Sequence, residues 1–211
     1  MEFGDIESDL GCAGEVRESG YLSDHFLVAM PGIGDPRFSR ALIRLVRHTD
    51  QGALGFMVNQ PAGIATNEIL TRAGISDDSA FDIMTEDEDP TAALDVVKGG
   101  PVEDSRGFVL HTTDYAAEST SRIADGLALT TTLDVLRAVA RGRGPRRALL
   151  ALGYCGWRPG QLDDELRDNA WLTIDADAAL IFDVPVGERY DAALGTLGIA
   201  AESLSGIAGN A

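Results

Sequence analysis

The sequence predicts an α/β (α+β mixed) protein with one domain over residues 19–211, and three observations carry that reading. Short apolar runs bounded by Gly and Pro alternate with stretches of helical spacing, so neither an all-α nor an all-β arrangement fits. The chain has 211 residues, of which 45% are hydrophobic and 24% charged, the composition of a folded chain with a real core. No internal repeat divides it.

The elements follow in order. Residues 1–18 are acidic and without periodicity and read as a mobile tail. His25 to Met30 is an apolar strand stopped by Pro31-Gly32. Asp35 before Pro36 is a helix start, a capping carboxylate ahead of a proline in the first turn. Phe38, Ala41, Leu42, Leu45 and Val46 continue at helical spacing, although Leu42 to Val46 reads equally as a strand. Thr49 to Gly52 is a turn, and Ala53 to Val58 a strand that closes a hairpin. Thr66 to Ala73 is a short helix, with Gly74 at the left-handed C′ position and apolar Ile75 behind it. Ser76 to Pro90 is acidic and irregular. Leu94 to Val97 and Gly107 to His111 are strands separated by Gly99-Gly100-Pro101-Val102. Thr131 caps a helix that runs through Val139, with Asp134 at N3. Arg146 to Leu152 is a strand, and Pro159 to Ala170 a helix. Trp171 to Ile174 and Ala179 to Phe182 read as strands. Glu188 to Leu197 is the last helix, stopped by Gly198 with Ile199 behind it.

Asp and Glu outnumber Lys and Arg 34 to 17, for a formal charge of −17. Such a charge repels nucleic-acid phosphates and anionic lipid and favours solubility, so neither nucleic acid nor a membrane is the expected partner. The first residues carry neither a basic nor an apolar leader region, and no apolar run is long enough to span a bilayer. A cytoplasmic location is expected. Cys12 and Cys155 form no CxxC, which disfavours zinc-ribbon and thioredoxin chemistry. No cofactor or metal is expected.

Gly153-Tyr154-Cys155-Gly156-Trp157-Arg158 is the segment richest in chemistry. It reads as a glycine-rich loop between a strand and a helix, where backbone N–H groups and Arg158 could receive an anion. It has neither the GxGxxG nor the GK[ST] pattern, and Asp163, Asp164 and Glu165 oppose a phosphate there. A tight turn with Trp157 in the core is the plainer account. Cys155 near a helix start could be a nucleophile, but position 157 is bulky where a nucleophile elbow needs a small residue, and a buried thiol is favoured. His111, followed by Asp114, could act as a base at a strand end, and a structural histidine is the favoured alternative. His25, His48 and His111 are spaced unlike metal ligands. Arg137, Arg141, Arg143, Arg146 and Arg147 form the basic cluster. It reads mainly as cations offsetting a helix C-terminus, with a local phosphate or nucleotide site as the alternative. Glycines at 99 and 100 could let a ligand or a second strand come close.

Several segments together resemble one family: HFLVAMPG (25–32), DPRFSRALIRLVRH (35–48), GALGFMVNQP (52–61), GGPV (99–102), RGFVLH (106–111), DGLALTT (125–131), GYCGW (153–157) with GQLDDEL and NAWL, and FDVPVGERYDAAL (182–194). The combined pattern is similar to the YqgE/AlgH family of bacterial proteins, over residue 20 to the C-terminus. The resemblance implies a mixed sheet curled toward a barrel-like shape and flanked by helices, with 41–47 as strand. It implies a regulatory label but no catalytic set to carry over. Cys155 departs from the small non-thiol residue usual there, which weakens thiol catalysis further.

The expected function is a non-catalytic, cytosolic protein that binds a small ligand, such as a nucleotide or another phosphate-bearing compound, in a regulatory role. Corners at strand ends motivate it, because ligands of α/β sheets collect there. The candidate lining is Asn59, Gly99, Gly100, His111, Gly153, Tyr154, Gly156, Trp157 and Arg158. The alternative is an acidic factor that regulates a protein partner without a small ligand. An enzyme using Cys155 or His111, and DNA binding, rank below these.

Overall fold

A strand whose consecutive residues are all apolar is buried on both faces, and its sheet then needs cover on both sides. Phe26 and Val28 pack into one apolar cluster while Leu27 between them packs into another, so the first strand is buried on both faces. The computed structural model describes residues 22–75, 94–123 and 126–199. The expected acidic tail, Cys12 and the acidic stretch 76–90 lie outside the described residues.

Nine strands of the described residues form one sheet: β1 (His25–Ala29), β2 (Leu42–Thr49), β3 (Gly52–Met57), β4 (Leu94–Lys98), β5 (Val102–Thr112), β6 (Thr120–Arg122), β7 (Leu127–Thr130), β8 (Ala148–Trp157) and β9 (Trp171–Asp175). Their order is β6-β7-β5-β8-β3-β2-β1-β9, and β4 also pairs with β8. Pairing is antiparallel except between β4 and β8. The result is a mixed α/β fold, a sheet curled into a half-barrel, with five helices among the described residues: α1 (Thr66–Arg72), α2 (Leu133–Ala140), α3 (Gln161–Arg167), α4 (Ala178–Phe182) and α5 (Arg189–Thr196).

One face of the sheet gathers Phe26, Phe56, Phe108, Leu110, Leu129 and Leu149 and is closed by Ile181 of α4 and Leu194 of α5. On the opposite face, α3 covers Leu27, Ile43, Leu45, Cys155 and Trp157 through Leu162. Helices α1 and α2 cover Val109 and Leu150 through Ile69, Leu70, Val135 and Leu136. Each fully buried Leu, Ile or Phe contributes on the order of 1.5–3 kcal/mol, so these three clusters carry most of the driving force.

Leu42 to Val46 is strand, as the resemblance implied, because β2 is paired on both sides, by β1 and β3. Several other expectations are corrected. Only a 3-10 turn, Pro36–Phe38, follows Asp35, whose carboxylate accepts from the Arg37 N–H. Ala179 to Phe182 is helix, started by Asp177, whose side chain accepts from the Ala179 N–H. The helix α2 begins one residue later than the Thr131 cap implied, and neither Thr131 nor Thr132 caps it by a side-chain bond. Gly153 to Trp157 is not a loop but the end of β8.

The helix stops are as the sequence indicates. Ile75 N–H reaches Leu70 O and Gly74 N–H reaches Thr71 O, with Gly74 at φ 68°. Ile199, Gly198, Leu194 and Gly195 repeat the pattern at the end of α5. Both are Schellman closures that only a left-handed residue permits without strain.

Candidate functional site

Strands β4 and β5 lie on opposite sides of β8, so the chain between them must cross over β8. Gly99-Gly100-Pro101 makes that crossing. A Cβ on Gly99 would lie 2.2 Å from Gly153 O, and one on Gly100 would lie 2.1 Å from the Tyr154 carbonyl carbon. Backbone passes against backbone with no room for a side chain. Gly99 N–H donates to Leu152 O (2.7 Å), and Gly99 O accepts from Met57 N–H (2.8 Å). Of the two openings the sequence left at these glycines, the second strand occupies one.

Gly153 completes the crossing with φ 73°, and a Cβ there would lie 2.6 Å from Gly100 O. It also shifts the alternation of β8. Leu149 and Ala151 face the α4–α5 side and Leu150 the other, whereas beyond Gly153 it is Tyr154 that faces the α4–α5 side and Cys155 and Trp157 that face away. One left-handed glycine thus lets a single strand serve three clusters.

The other candidates also sit in the frame. Asn59 accepts from Leu42 N–H (2.8 Å) through Oδ1 and donates from Nδ2 to Arg40 O (2.8 Å), engaging both ends of its amide. The Trp157 indole donates to Glu165 Oε2 (2.9 Å), as does that of Trp171 (2.8 Å), and Gln161 donates to Glu165 Oε1 (2.9 Å). One carboxylate on α3 thereby joins β8 to β9. The Tyr154 ring packs edge-on against Phe108. Gly156 and Arg158 are exposed. The chain around Asn59, Gly99-Gly100 and Gly153-Tyr154 therefore does meet, but as packed backbone.

His111 is buried. Its Nδ1 lies 2.8 Å from Thr112 O and its Nε2 lies 2.8 Å from Thr130 Oγ1. A carbonyl only accepts, so in the neutral ring Nδ1 carries the proton and Nε2 accepts from the Thr130 hydroxyl. Thr130 then accepts from Thr120 (2.7 Å), and Thr120 from Ala117 N–H (2.8 Å). The chain of bonds ties β5, β6 and β7 together. Asp114 bonds elsewhere.

Cys155 is buried, its thiol is pushed up to about 12 by burial, and its S–H donates to Gly99 O (3.4 Å). A thiol held protonated is a poor nucleophile. Among the described residues no group of three or more His, Cys, Asp or Glu is placed to hold a metal ion, and no helix is long and apolar enough to cross a membrane.

Burial lowers the pKa of His111 and of His48, against opposing contributions from Thr112 and Asp114 in one case and Asp163 in the other. A base with a depressed folded pKa binds protons better when unfolded. Its contribution is complete above the ordinary value of 6.5 and is lost as pH falls through the folded value. The melting temperature should therefore fall as pH drops from about 7 towards 5, and a His48→Gln, His111→Gln variant should flatten that slope. An unmodified chain whose melting temperature is level over this range would contradict both assignments.

A concavity of about 450 Å³ lies at the other end of β5, lined by Thr112, Thr113, Asp114, Gly126, Arg146 and Arg147. Asp114 holds it together. Its Oδ1 accepts from the Thr112 hydroxyl, and its Oδ2 accepts from both the Arg146 N–H (3.1 Å) and Arg146 Nε (3.1 Å). Burial pushes the Asp114 carboxyl up, but the bonds from Thr112 and Arg146 outweigh it and hold its pKa below the ordinary value. Arg147 donates to Phe182 O (2.6 Å) at the end of α4 and pairs with Asp183 (3.2 Å). Arg146 and Arg147 precede β8 and follow α2 by several residues, so they do not serve the α2 terminus as the sequence suggested. The cue for this site was present in the basic cluster and in Asp114 after His111. What the sequence hid is that residues 112–114, 126 and 146–147 converge.

A model of the AlgH-like family matches residues 26–202. A UPF0301 protein of Bradyrhizobium sp. is 47% identical over 211 residues, spanning 99% of this chain and 96% of its own length. A UPF0301 protein of Rhodospirillum rubrum is 48% identical over 199 residues, spanning 92% and 97%. The solution structure of the AlgH protein from Pseudomonas aeruginosa is similar at a TM-score of 0.71 and 40% identity, covering 94% of this chain and 100% of that one. Protein DIP2367 of Corynebacterium diphtheriae, at 17% identity and TM-score 0.59 over 84% of this chain and 88% of its own, shares the fold alone.

Proposed function

The chain belongs to the AlgH-like family, and from that premise we propose that it is a non-catalytic protein that binds a small ligand in the concavity between Thr112 and Arg147 and acts in a regulatory role. The observation that carries this reading is the concavity itself. Three segments distant in sequence bring two threonines, an aspartate and two arginines to one hollow of about 450 Å³, within the roughly 300–1,000 Å³ usual for small-molecule sites. His111, a candidate from the sequence, supports its wall by bonding the carbonyl of Thr112. The crossing glycines and Asn59 hold the sheet that carries it.

Two further facts support a non-catalytic role. Cys155 and His111, the groups with nucleophile or base chemistry in the sequence, are both buried and bonded within the fold.

A thermal-shift screen of nucleotides, sugar phosphates and small anions tests the proposal. A ligand at about 100 times its Kd stabilises the native state by about 2.7 kcal/mol. For a chain of this size that raises the melting temperature by roughly 5–10 °C. No stabilisation by any member of the panel would overturn it.

A further inference from the structure

We propose that the ligand carries a phosphate monoester and that Arg146 grips it, with Asp114 as the positioning residue. This rests on the small-ligand reading above and gives it a chemical class.

The argument begins with the bonds Arg146 makes and those it leaves open. Its backbone N–H and its Nε both donate to Asp114 Oδ2. Among the described residues its two terminal nitrogens have no partner, and the side chain is 86% exposed. Asp114 is fixed in turn by the Thr112 hydroxyl. A carboxylate that binds Nε and the backbone restricts the guanidinium and points its outer edge away from itself. The pair of N–H groups on that edge matches two oxygens of a phosphate. The two oxygens of Asp114 already accept three bonds, so its remaining role is to orient Arg146.

Two neighbours complete the site. The Thr113 hydroxyl makes no side-chain hydrogen bond among the described residues and is free to donate to a third oxygen. Arg147 is held by Phe182 O and Asp183, so it contributes charge to the wall and leaves the direct contact to Arg146. A phosphate monoester carries about −1.5 to −2 charge at pH 7 and three terminal acceptor oxygens, which answers this donor set better than a carboxylate with two.

The test is calorimetric titration of the full chain with AMP, which carries a phosphate monoester, and with adenosine, which lacks it. AMP should bind and adenosine should not. Arg146→Gln should weaken AMP binding about tenfold or more, since it removes a charge-assisted fork. Asp114→Asn should weaken it about three- to tenfold, and on that background Arg146→Gln should add little, because the two act as one unit. A bystander carboxylate would behave in the opposite way, its neutralisation tightening the binding of an anion. Tighter AMP binding by Asp114→Asn, equal binding of adenosine, or AMP binding untouched by Arg146→Gln would each overturn the inference. Stabilisation by a panel member without phosphate, with AMP silent, would overturn it while leaving the proposed function standing. Both arginine and aspartate lie at the surface, and the melting temperature of each variant confirms that it is folded.

Discussion

Replacing Gly100 by Ala should destabilise the protein by about 4 kcal/mol or more, at the far end of the range for a single substitution. The added methyl would sit 2.1 Å from the carbonyl carbon of Tyr154, 2.2 Å from its oxygen and 2.5 Å from Cys155 N. These are backbone atoms of β8, which is paired on both sides by β3, β4 and β5. No flexible side chain can yield, so either the crossing lifts away or β8 leaves its partners. Lifting the crossing breaks the bonds from Gly99 to Leu152 and from Met57 to Gly99. Gly32→Ala is the control, because nothing lies within 4 Å of a Cβ there and its φ is not left-handed. That variant should stay within about 0.5 kcal/mol of the parent. Chemical denaturation of the two variants measures the difference, and equal midpoints would refute the close crossing.

Arg189→Met should cost about 3–5 kcal/mol, the usual effect of removing one partner from a buried charged network. Arg189 opens α5 and is 1% exposed. Its Nε donates to Val184 O (3.0 Å), one terminal nitrogen to Val58 O (2.6 Å) and the other to the Asp95 carboxylate. The guanidinium thus joins α5 to the turn before it, to the end of β3 and to β4. Burial lowers its pKa and Asp95 opposes that shift. Methionine would fill the space but leave two carbonyls and a carboxylate without their donor. Arg189→Lys should recover little, because one ammonium cannot reproduce a planar fork directed at three acceptors. Asp95→Asn should cost less than Arg189→Met, since the Asp95 side chain is 48% exposed and water screens it. Denaturant melts of the three variants should rank them in that order, and an Arg189→Met protein as stable as the parent would show that the network contributes nothing net.

Parts of the fold that depend on neighbours in sequence could be read without coordinates. The β2–β3 hairpin is signalled by the polar turn between two apolar runs, and the ends of α1 and α5 by a glycine with an isoleucine behind it. In each the determinant lies within a few residues. The family resemblance added the curl of the sheet and the strand at 41–47, where apolar spacing alone allowed a helix. One error has a local determinant. Ala179 to Phe182 is apolar enough for a strand, yet Asp177 caps it and the alanines favour a helix. The other error arises where a distant segment decides. Gly153 to Trp157 looked like a loop because three glycines, Gly153, Gly156 and Gly160, fall within eight residues. The actual need for Gly153 comes from Gly100, more than fifty residues away, which crosses above it.

The same distinction applies to the site. Asn59, His111 and Trp157 stand out in the sequence as polar or aromatic groups at strand ends, and each proves to be bonded inside the frame. Arg146 and Asp114 are unremarkable as single residues. Their value comes from a backbone N–H and a side-chain Nε meeting one carboxylate oxygen across 32 positions of sequence. Spacing cannot reveal that, because no regular element contains both.

Two parts of the fold are thus assigned separate roles, the glycine crossing building the sheet and the hollow beside Arg146 being the proposed ligand site. Amide shift mapping by NMR on adding a ligand that raises the melting temperature tests this assignment most directly. The signals of Thr113, Asp114, Gly126 and Arg146 should move while those of Gly99, Gly100 and Tyr154 to Arg158 stay in place. Movement confined to the crossing, with the Arg146 hollow silent, would contradict it.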